Sequence, residues 1–115
     1  MSLLDGSDDR CGVCGRPSGE RDPDEYRHQA EVLRALANAA RLQMIDRLST
    51  GDCTVSELTE LVGLDQSTVS KHLATLRLHG IVEGRRNGNQ VFYHLLTPCV
   101  LDFFACASRV MEERR

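Results

Sequence analysis

Residues 64–95 carry the most informative pattern of apolar and polar positions in this 115-residue chain. Apolar residues recur there at the three-to-four spacing of a helix with one buried face, at Val69, Leu73, Leu76 and Leu78. Asp65 is of a residue type that caps helix N-termini, and Gly80 suits the positive φ at which many helices end. The pattern therefore predicts a helix between these two residues, with a polar face opposite its apolar face.

That polar face carries short hydrogen-bonding side chains and one cation near its N-terminus, at Gln66, Ser67, Thr68, Ser70, Lys71 and His72. A helix that enters the major groove of DNA reads base edges with its N-terminal residues, and amide and hydroxyl groups suit that task. An ordinary solvated helix face would have a similar composition. The residues that follow the helix favour the DNA interpretation.

Two short strands are predicted directly after this helix, one starting at Ile81 and Val82 and one over residues 90–95. Between them the pair Asn87-Gly88 predicts a hairpin turn, because both residue types tolerate positive φ. The candidates for contact with phosphates or a minor groove lie beside the turn, at Arg85, Arg86 and Asn87. Arginines also keep an exposed hairpin soluble, but a helix of the recognition type directly upstream favours nucleic acid.

Upstream, the sequence predicts three further helices that can be capped by Asp22, Asn38 and Thr54. The first runs from Pro23 to about Leu36, with apolar positions at Tyr26, Ala30 and Leu33. The second has its apolar positions at Leu42, Ile45 and Leu48 and closes at Gly51. The third, Val55–Val62, opens with a capping box of Thr54 and Glu57 and leads through a tight turn at Gly63 into the polar-faced helix.

Charge is distributed unevenly along the chain. The net charge is −3, yet residues 66–94 contain four basic side chains against Glu83 alone, whereas residues 1–25 are strongly acidic. A modest positive region on an acidic protein suits a DNA-binding protein that must also be released. Because the N-terminus resembles no secretory signal and no long apolar run is present, we expect a cytoplasmic protein with no membrane contact, whose five cysteines are thiols.

Residues 33–95 resemble the ArsR/SmtB family of bacterial metalloregulatory repressors. The resemblance rests on Leu36-Ala37-Asn38 with Ala40-Arg41, on the run Gln66 to Ser70 with His72-Leu73, and on residues 88–93. It implies a mostly α winged helix-turn-helix of four helices, a β-hairpin wing and a fifth helix. It also implies a homodimer formed through the first and last helices, which binds a palindromic operator in double-stranded DNA. We expect residues 22–115 to form this domain and residues 1–21 to be a flexible acidic arm.

The five cysteines fall in three places. Cys11 and Cys14 form a CxxC in the arm, Cys53 precedes the third helix, and Cys99 and Cys106 lie at the start and middle of the predicted last helix. Thr97 and Pro98 are expected to begin that helix, which would place Cys99 in its first turn. Two helical turns separate Cys99 from Cys106 by about 10 Å of rise, so one chain cannot use both on one ion. Antiparallel last helices of a dimer would bring them together, although small thiols also pack well in interfaces.

The family resemblance implies that these thiols sense an effector. The stretch from Pro98 to Cys106 resembles that of a thiolate-bearing subgroup, whereas the family's CVC box and the histidines of its zinc sites are missing. An all-sulfur set favours soft species as inducers: As(III), Sb(III), Cd(II) or Pb(II). The predicted ligands are Cys99, Cys106 and Cys53, with Cys11 and Cys14 as rival ligands.

A repressor of the same fold could instead respond to oxidants or sulfane sulfur through Cys99 and Cys106. Enzymatic activity is not expected. No βαβ pattern surrounds the CxxC, and the sequence offers no grouping of nucleophile, base and oxyanion-binding residues.

Overall fold

The computed structural model describes residues 22–114, which divide between Leu96 and Thr97 into two compact units. The larger unit contains four helices and three strands, in the order α1 (Pro23–Leu36), α2 (Ala39–Leu48), β1 (Cys53–Thr54), α3 (Val55–Val62), α4 (Gln66–Leu78), β2 (Val82–Asn87) and β3 (Gln90–Leu95). The C-terminal unit contains a 3₁₀ turn (Pro98–Val100) and α5 (Leu101–Glu113). The predicted division at residue 21 lies at the edge of the described residues, and the arm with Cys11 and Cys14 lies outside them.

The four helices of the larger unit begin where their capping residues predict. The Asp22 carboxylate accepts from the Glu25 amide, and the Asn38 side chain accepts from two amides at the start of α2. Thr54 and Glu57 form the predicted capping box, and Gly63 ends α3 with a φ of 75°. Each cap satisfies backbone N–H groups that have no partner inside the helix, which typically stabilises a helix by about 1 kcal/mol.

The sheet has one strand more than predicted. β1 pairs antiparallel with β3, so that the strand order is β1-β3-β2, and Cys53 lies opposite Tyr93. Cys53 is therefore a strand residue whose side chain points into the core, on the same face as Val82 and Leu95. A two-residue strand has no sequence signature of its own, because only its pairing with a distant segment defines it.

The hairpin turn lies one residue later than predicted. Asn87 pairs with Gln90, so the two central residues are Gly88 and Asn89. Gly88 has a φ of 68°, and among the described residues only glycines have positive φ. Glycine with positive φ at the first central position is the pattern of a type II′ turn, which matches the twist of the flanking strands. Asn87 thus lies in the extended strand instead of the turn.

The core of the larger unit lies between α2, α3, α4 and the inner face of the sheet. Its largest fully buried side chains are Met44, Ile45, Leu58, Val69, Leu73, Leu76, Ile81 and Val82. The prediction for Leu78 was wrong, because this side chain is 80% exposed at the end of α4. Its position falls two residues after Leu76, and residues two apart on a helix do not share a face.

The C-terminal unit differs from the prediction at its start. The α-helix begins at Leu101, after the 3₁₀ turn, and the Thr97 side chain makes no capping hydrogen bond. Cys99 therefore lies in the 3₁₀ turn and not in the first turn of α5. No residue of α5 is buried, and Phe103, Val110 and Met111 are exposed. Within residues 22–114 no helix has the length and apolar character needed to cross a membrane.

Candidate nucleic-acid interface

Helix α4 presents its predicted polar side chains away from the core. Val69, Leu73 and Leu76 bury one side of the helix, which fixes the opposite side toward solvent. Of the six predicted reading residues, four are exposed, at Gln66, Ser67, Ser70 and Lys71, and two are half-buried, at Thr68 and His72. The structure therefore brings the predicted set onto one surface, within the first two turns of the helix.

Asp65 does more at this surface than cap the helix. Its Oδ2 accepts from the Thr68 amide at 3.1 Å and from the Ser67 hydroxyl at 2.6 Å, while its Oδ1 accepts from the Thr68 hydroxyl at 2.7 Å. These hydrogen bonds to the charged form hold the pKa of the Asp65 carboxyl well below its usual range. Sequence analysis found the cap but missed the two hydroxyl contacts.

His72 is tied to the second helix by an arginine. The Arg41 Nε donates to His72 Nδ1 at 3.1 Å, and Arg41 Nη1 donates to the Ala35 carbonyl at 2.9 Å. A guanidinium has only donors, so Nδ1 of His72 must be the acceptor and the ring must carry its proton on Nε2. Burial, and then the neighbouring Arg41 charge, lowers the pKa of His72. His72 is thus held as a neutral ring with its proton on Nε2.

The lowered pKa of His72 predicts a loss of stability in weak acid. Below about pH 6.5 the unfolded chain binds a proton that the folded ring resists, so the free energy of unfolding falls as the pH drops toward the folded pKa. Above about pH 6.5 this contribution is fully present. Urea unfolding at pH 7.5 and 5.5 should show a smaller loss for His72→Gln, whose amide oxygen can still accept from Arg41. His28→Gln, an exposed control on α1, should keep the wild-type pH dependence, and equal losses for all three proteins would contradict the assignment.

The two arginines of the wing, the hairpin formed by β2 and β3, lie on opposite faces of the sheet. Arg85 and Arg86 are consecutive in β2, so their Cβ atoms leave the strand on opposite faces. Arg85 Nε donates to Glu83 at 2.6 Å in an exposed ion pair, which competes with any contact between Arg85 and a phosphate. Both long side chains nevertheless border one cleft of about 350 Å³, whose lining is completed by Asp52, Asn87 and Phe92. The lining thus combines two guanidinium groups and an amide, which can donate to an anionic oxygen, with one carboxylate, which repels it.

A second pair at the sheet was missed from the sequence. His94 Nδ1 lies 2.8 Å from Asp52 Oδ1, on the outer face of the sheet and 42 residues away along the chain. Asp52 precedes β1, and His94 lies next to the residue that pairs with Cys53. The contact exists only because β1 joins the sheet, and the sequence carried no signal for that strand.

The predicted thiol ligands differ in exposure. Cys53 is fully buried, and burial is the main cause that raises the pKa of its thiol. A buried neutral thiol is a poor metal ligand, so the geometry counts against Cys53 as the third ligand. Cys106 is exposed and Cys99 is half-buried, and all three are thiols, not disulfides. Across residues 22–114, no three His, Cys, Asp or Glu side chains are grouped closely enough to hold a metal ion.

The chain is similar to known bacterial regulators over most of its length. The family model described as "Bacterial regulatory protein, arsR family" matches residues 38–84. The HTH-type transcriptional regulator NmtR of Mycobacterium tuberculosis is 40% identical over 86 residues, which cover 73% of this chain and 72% of that protein. The biofilm growth-associated repressor of Xylella fastidiosa is 40% identical over 82 residues, which cover 70% of this chain and 72% of that protein.

A solved structure shares the fold. It is the homodimeric winged helix-turn-helix DNA-binding domain of a possible ArsR-family transcriptional regulator from Mycobacterium bovis. It superimposes with a TM-score of 0.68 at 32% identity, covering 85% of this chain and 93% of that one. The sheet, the polar-faced helix and the wing described above thus have counterparts in a DNA-binding dimer.

Proposed function

This chain belongs to the ArsR family and is a homodimeric, DNA-binding transcriptional repressor, not an enzyme; from that premise we propose that it binds a palindromic operator and leaves it when a soft, thiophilic effector binds its cysteine thiolates. The observation that carries the proposal is the exposed polar face of α4 beside an arginine-bearing wing. Such a repressor acts on DNA in the cytoplasm.

The proposed DNA contacts divide between helix and wing. Residues at the start of α4 read base edges in the major groove: Gln66, Ser67, Thr68, Ser70, Lys71 and His72. Arg85, Arg86 and Asn87 meet the backbone or the adjacent minor groove. In a two-fold dimer the two α4 helices enter successive major grooves about 34 Å apart, so the operator's half-sites repeat with that spacing.

The proposed effector site centres on Cys99 and Cys106. Both thiols belong to the C-terminal unit, and Cys106 lies on the same side of α5 as exposed Phe103 and Val110. Antiparallel α5 helices across the dimer would place Cys99 of one protomer near Cys106 of the other. Family members respond to metal ions in general, and a sulfur-only site selects soft ions, so we propose As(III), Sb(III), Cd(II) or Pb(II). Cys11 and Cys14 remain rival ligands.

One observation favours a second candidate effector. Within the described part of the chain no three His, Cys, Asp or Glu side chains could hold a metal ion together, and Cys53 is buried, whereas Cys106 is exposed and Cys99 is half-buried. A pair of thiols is sufficient for oxidation to a disulfide, in which two electrons and two protons pass to a peroxide or polysulfide oxidant. The repressor would then report oxidants or sulfane sulfur instead of metal ions.

Measuring which compounds release the protein from its operator distinguishes the two effector classes. We expect one class to weaken operator binding about 5- to 150-fold, the usual range of allosteric coupling, when anisotropy is measured under anaerobic conditions. Arsenite, antimonite, cadmium, lead and zinc form one arm of the experiment, and peroxide and polysulfide form the other. Cys99→Ser and Cys106→Ser should each abolish release, whereas Cys53→Ala should retain it. Unchanged release in both serine variants would exclude the site on α5.

A further inference from the structure

We infer that Asp65 fixes the hydrogen-bonding polarity of the reading surface, so that Ser67 and Thr68 present acceptors, and no donors, to DNA. The inference rests on the proposed function, because it concerns how α4 reads an operator. It goes beyond that function by assigning a specificity role to a residue outside the predicted contact set. Asp65 acts through its neighbours, and we therefore describe it as a positioning residue.

The geometry is a single carboxylate shared by two hydroxyls. The Ser67 hydroxyl lies 2.6 Å from Asp65 Oδ2, and the Thr68 hydroxyl lies 2.7 Å from Asp65 Oδ1. An ionised carboxylate has no proton, so each hydroxyl must be the donor in its contact. The carboxyl of Asp65 is ionised at neutral pH, as an ordinary aspartate is, and these hydrogen bonds lower its pKa further. Both contacts are short, as expected for O–H donors to a charged oxygen.

The direction of these two hydrogen bonds determines what the Ser67 and Thr68 hydroxyls can offer to DNA. A serine or threonine hydroxyl has one proton and two acceptor lone pairs. Since that proton is directed at Asp65, Ser67 and Thr68 retain only acceptor capacity toward a ligand. In the major groove the donors are the N6 amino group of adenine and the N4 amino group of cytosine. Phosphate oxygens, guanine O6 and N7, and thymine O4 are acceptors and cannot pair with these hydroxyls in this arrangement.

The arrangement exceeds what capping requires. At the start of α1, Asp22 caps with a hydrogen bond from the Glu25 amide at 3.1 Å, and Asp65 accepts the equivalent bond from the Thr68 amide at the same length. The two hydroxyl contacts are additional, and they involve side chains on the face proposed to read bases. The matched caps also supply a control, because Asp22 and Asp65 share the same charge and capping role but only Asp65 touches the reading surface.

The first stage of the test uses the full chain and selection from a random duplex library. Ser67→Ala and Thr68→Val should each lose preference at one operator position, which identifies the base pair that each hydroxyl contacts. Asp65→Asn keeps a good N-cap, and its amide group can donate to a hydroxyl and so release that hydroxyl's proton. To keep that cap, the amide oxygen must take the place of Oδ2, where it still accepts from Ser67, so that the amide nitrogen faces the Thr68 hydroxyl. We expect Asp65→Asn to lose selectivity at the Thr68 position and to keep it at the Ser67 position. It should also bind non-specific DNA more tightly, since a negative charge near phosphates is removed. Asp22→Asn should select the wild-type operator.

The second stage removes single groups from the bases. At each position found above, replacing adenine by purine deletes the amino donor, whereas replacing it by 7-deazaadenine deletes only the N7 acceptor. At a G·C pair, 2-pyrimidinone in place of cytosine and 7-deazaguanine in place of guanine make the same comparison. We expect amino-group deletion to weaken wild-type binding about 2- to 10-fold, the value of one hydrogen bond, and N7 deletion to leave it unchanged. In Asp65→Asn the loss of binding caused by amino-group deletion should fall below about twofold at the Thr68 position and stay at the wild-type value at the Ser67 position.

The outcomes distinguish this inference from the function on which it rests. A wild-type chain that selects no sequence contradicts the proposed function itself. The inference alone is overturned if the wild type selects an operator normally but its binding is weakened by N7 deletion and not by amino-group deletion. The hydroxyls would then be donating. Equal operator preference in Asp65→Asn and the wild type, or no position lost in Ser67→Ala and Thr68→Val, also overturns it. Thermal unfolding of each variant checks that α4 remains folded.

Discussion

Phe103→Glu should make the protein monomeric and weaken operator binding about 100-fold or more. Two linked DNA-binding domains bind with an avidity about 10²- to 10⁴-fold above that of one domain. Phe103 is 52% exposed on α5, where Val110 and Met111 are exposed as well. Tyr26 and Leu33 are exposed on α1, the other helix expected at the dimer interface. Apolar side chains repeated on a helix face without burial in one chain indicate a surface that a second chain covers. A carboxylate at its centre would be desolvated without a partner.

Ala105→Glu is the matched control for that substitution. Ala105 is also exposed on α5, but residues two apart on a helix face different directions, so its carboxylate should remain in water. Sedimentation velocity measures the dimer, and anisotropy with the selected operator measures binding. A dimeric Phe103→Glu protein with normal operator affinity would show that this face of α5 lies outside the interface.

Leu73→Ala should lower the free energy of unfolding by about 2–5 kcal/mol, the usual cost of deleting a buried leucine side chain. Leu73 is 1% exposed and holds α4 against the core from the side opposite the reading surface. Proteins of this size are stable by about 5–15 kcal/mol, so the loss would remove a large fraction of the total stability.

Leu78→Ala provides the comparison on the same helix. Leu78 is 80% exposed, and its truncation should change the free energy of unfolding by less than about 0.5 kcal/mol. Urea unfolding should be followed at one fixed protein concentration, because the stability of a dimer depends on concentration. Equal losses for the two variants would mean that α4 packs in a different orientation.

Signals confined to a few neighbouring residues predicted most of the fold. Asp22, Asn38, Thr54 and Asp65 each bind amides within three residues, so type and spacing alone place the helix starts. The same holds for the positive φ of Gly63 and Gly80 at the helix ends. Leu78 misled the interpretation because an apolar residue at the last turn of a helix matches the apolar pattern without contacting the core.

Contacts between distant residues could not be predicted in this way. The Arg41 bond to His72 joins residues 31 apart, and the Asp52 contact with His94 depends on a strand of two residues. The burial of Cys53 has the same origin, because its thiol enters the core only when β1 pairs with β3. The hydroxyl contacts of Asp65 are local, yet capping preferences reveal only its bond to the backbone. The candidate reading face was therefore predictable, whereas its proton arrangement and the exposure of the thiols required coordinates.

The number of chains bound to one operator and the spacing of its half-sites test most directly whether two copies of this chain bind one duplex. We predict two chains per duplex by native mass spectrometry, and half-site centres about 10–10.5 base pairs apart or a multiple of that spacing. Inserting about 5 base pairs between the half-sites turns them by half a helical turn and should abolish tight binding, while about 10 should restore part of it. One chain per duplex, with affinity indifferent to both insertions, would contradict the account.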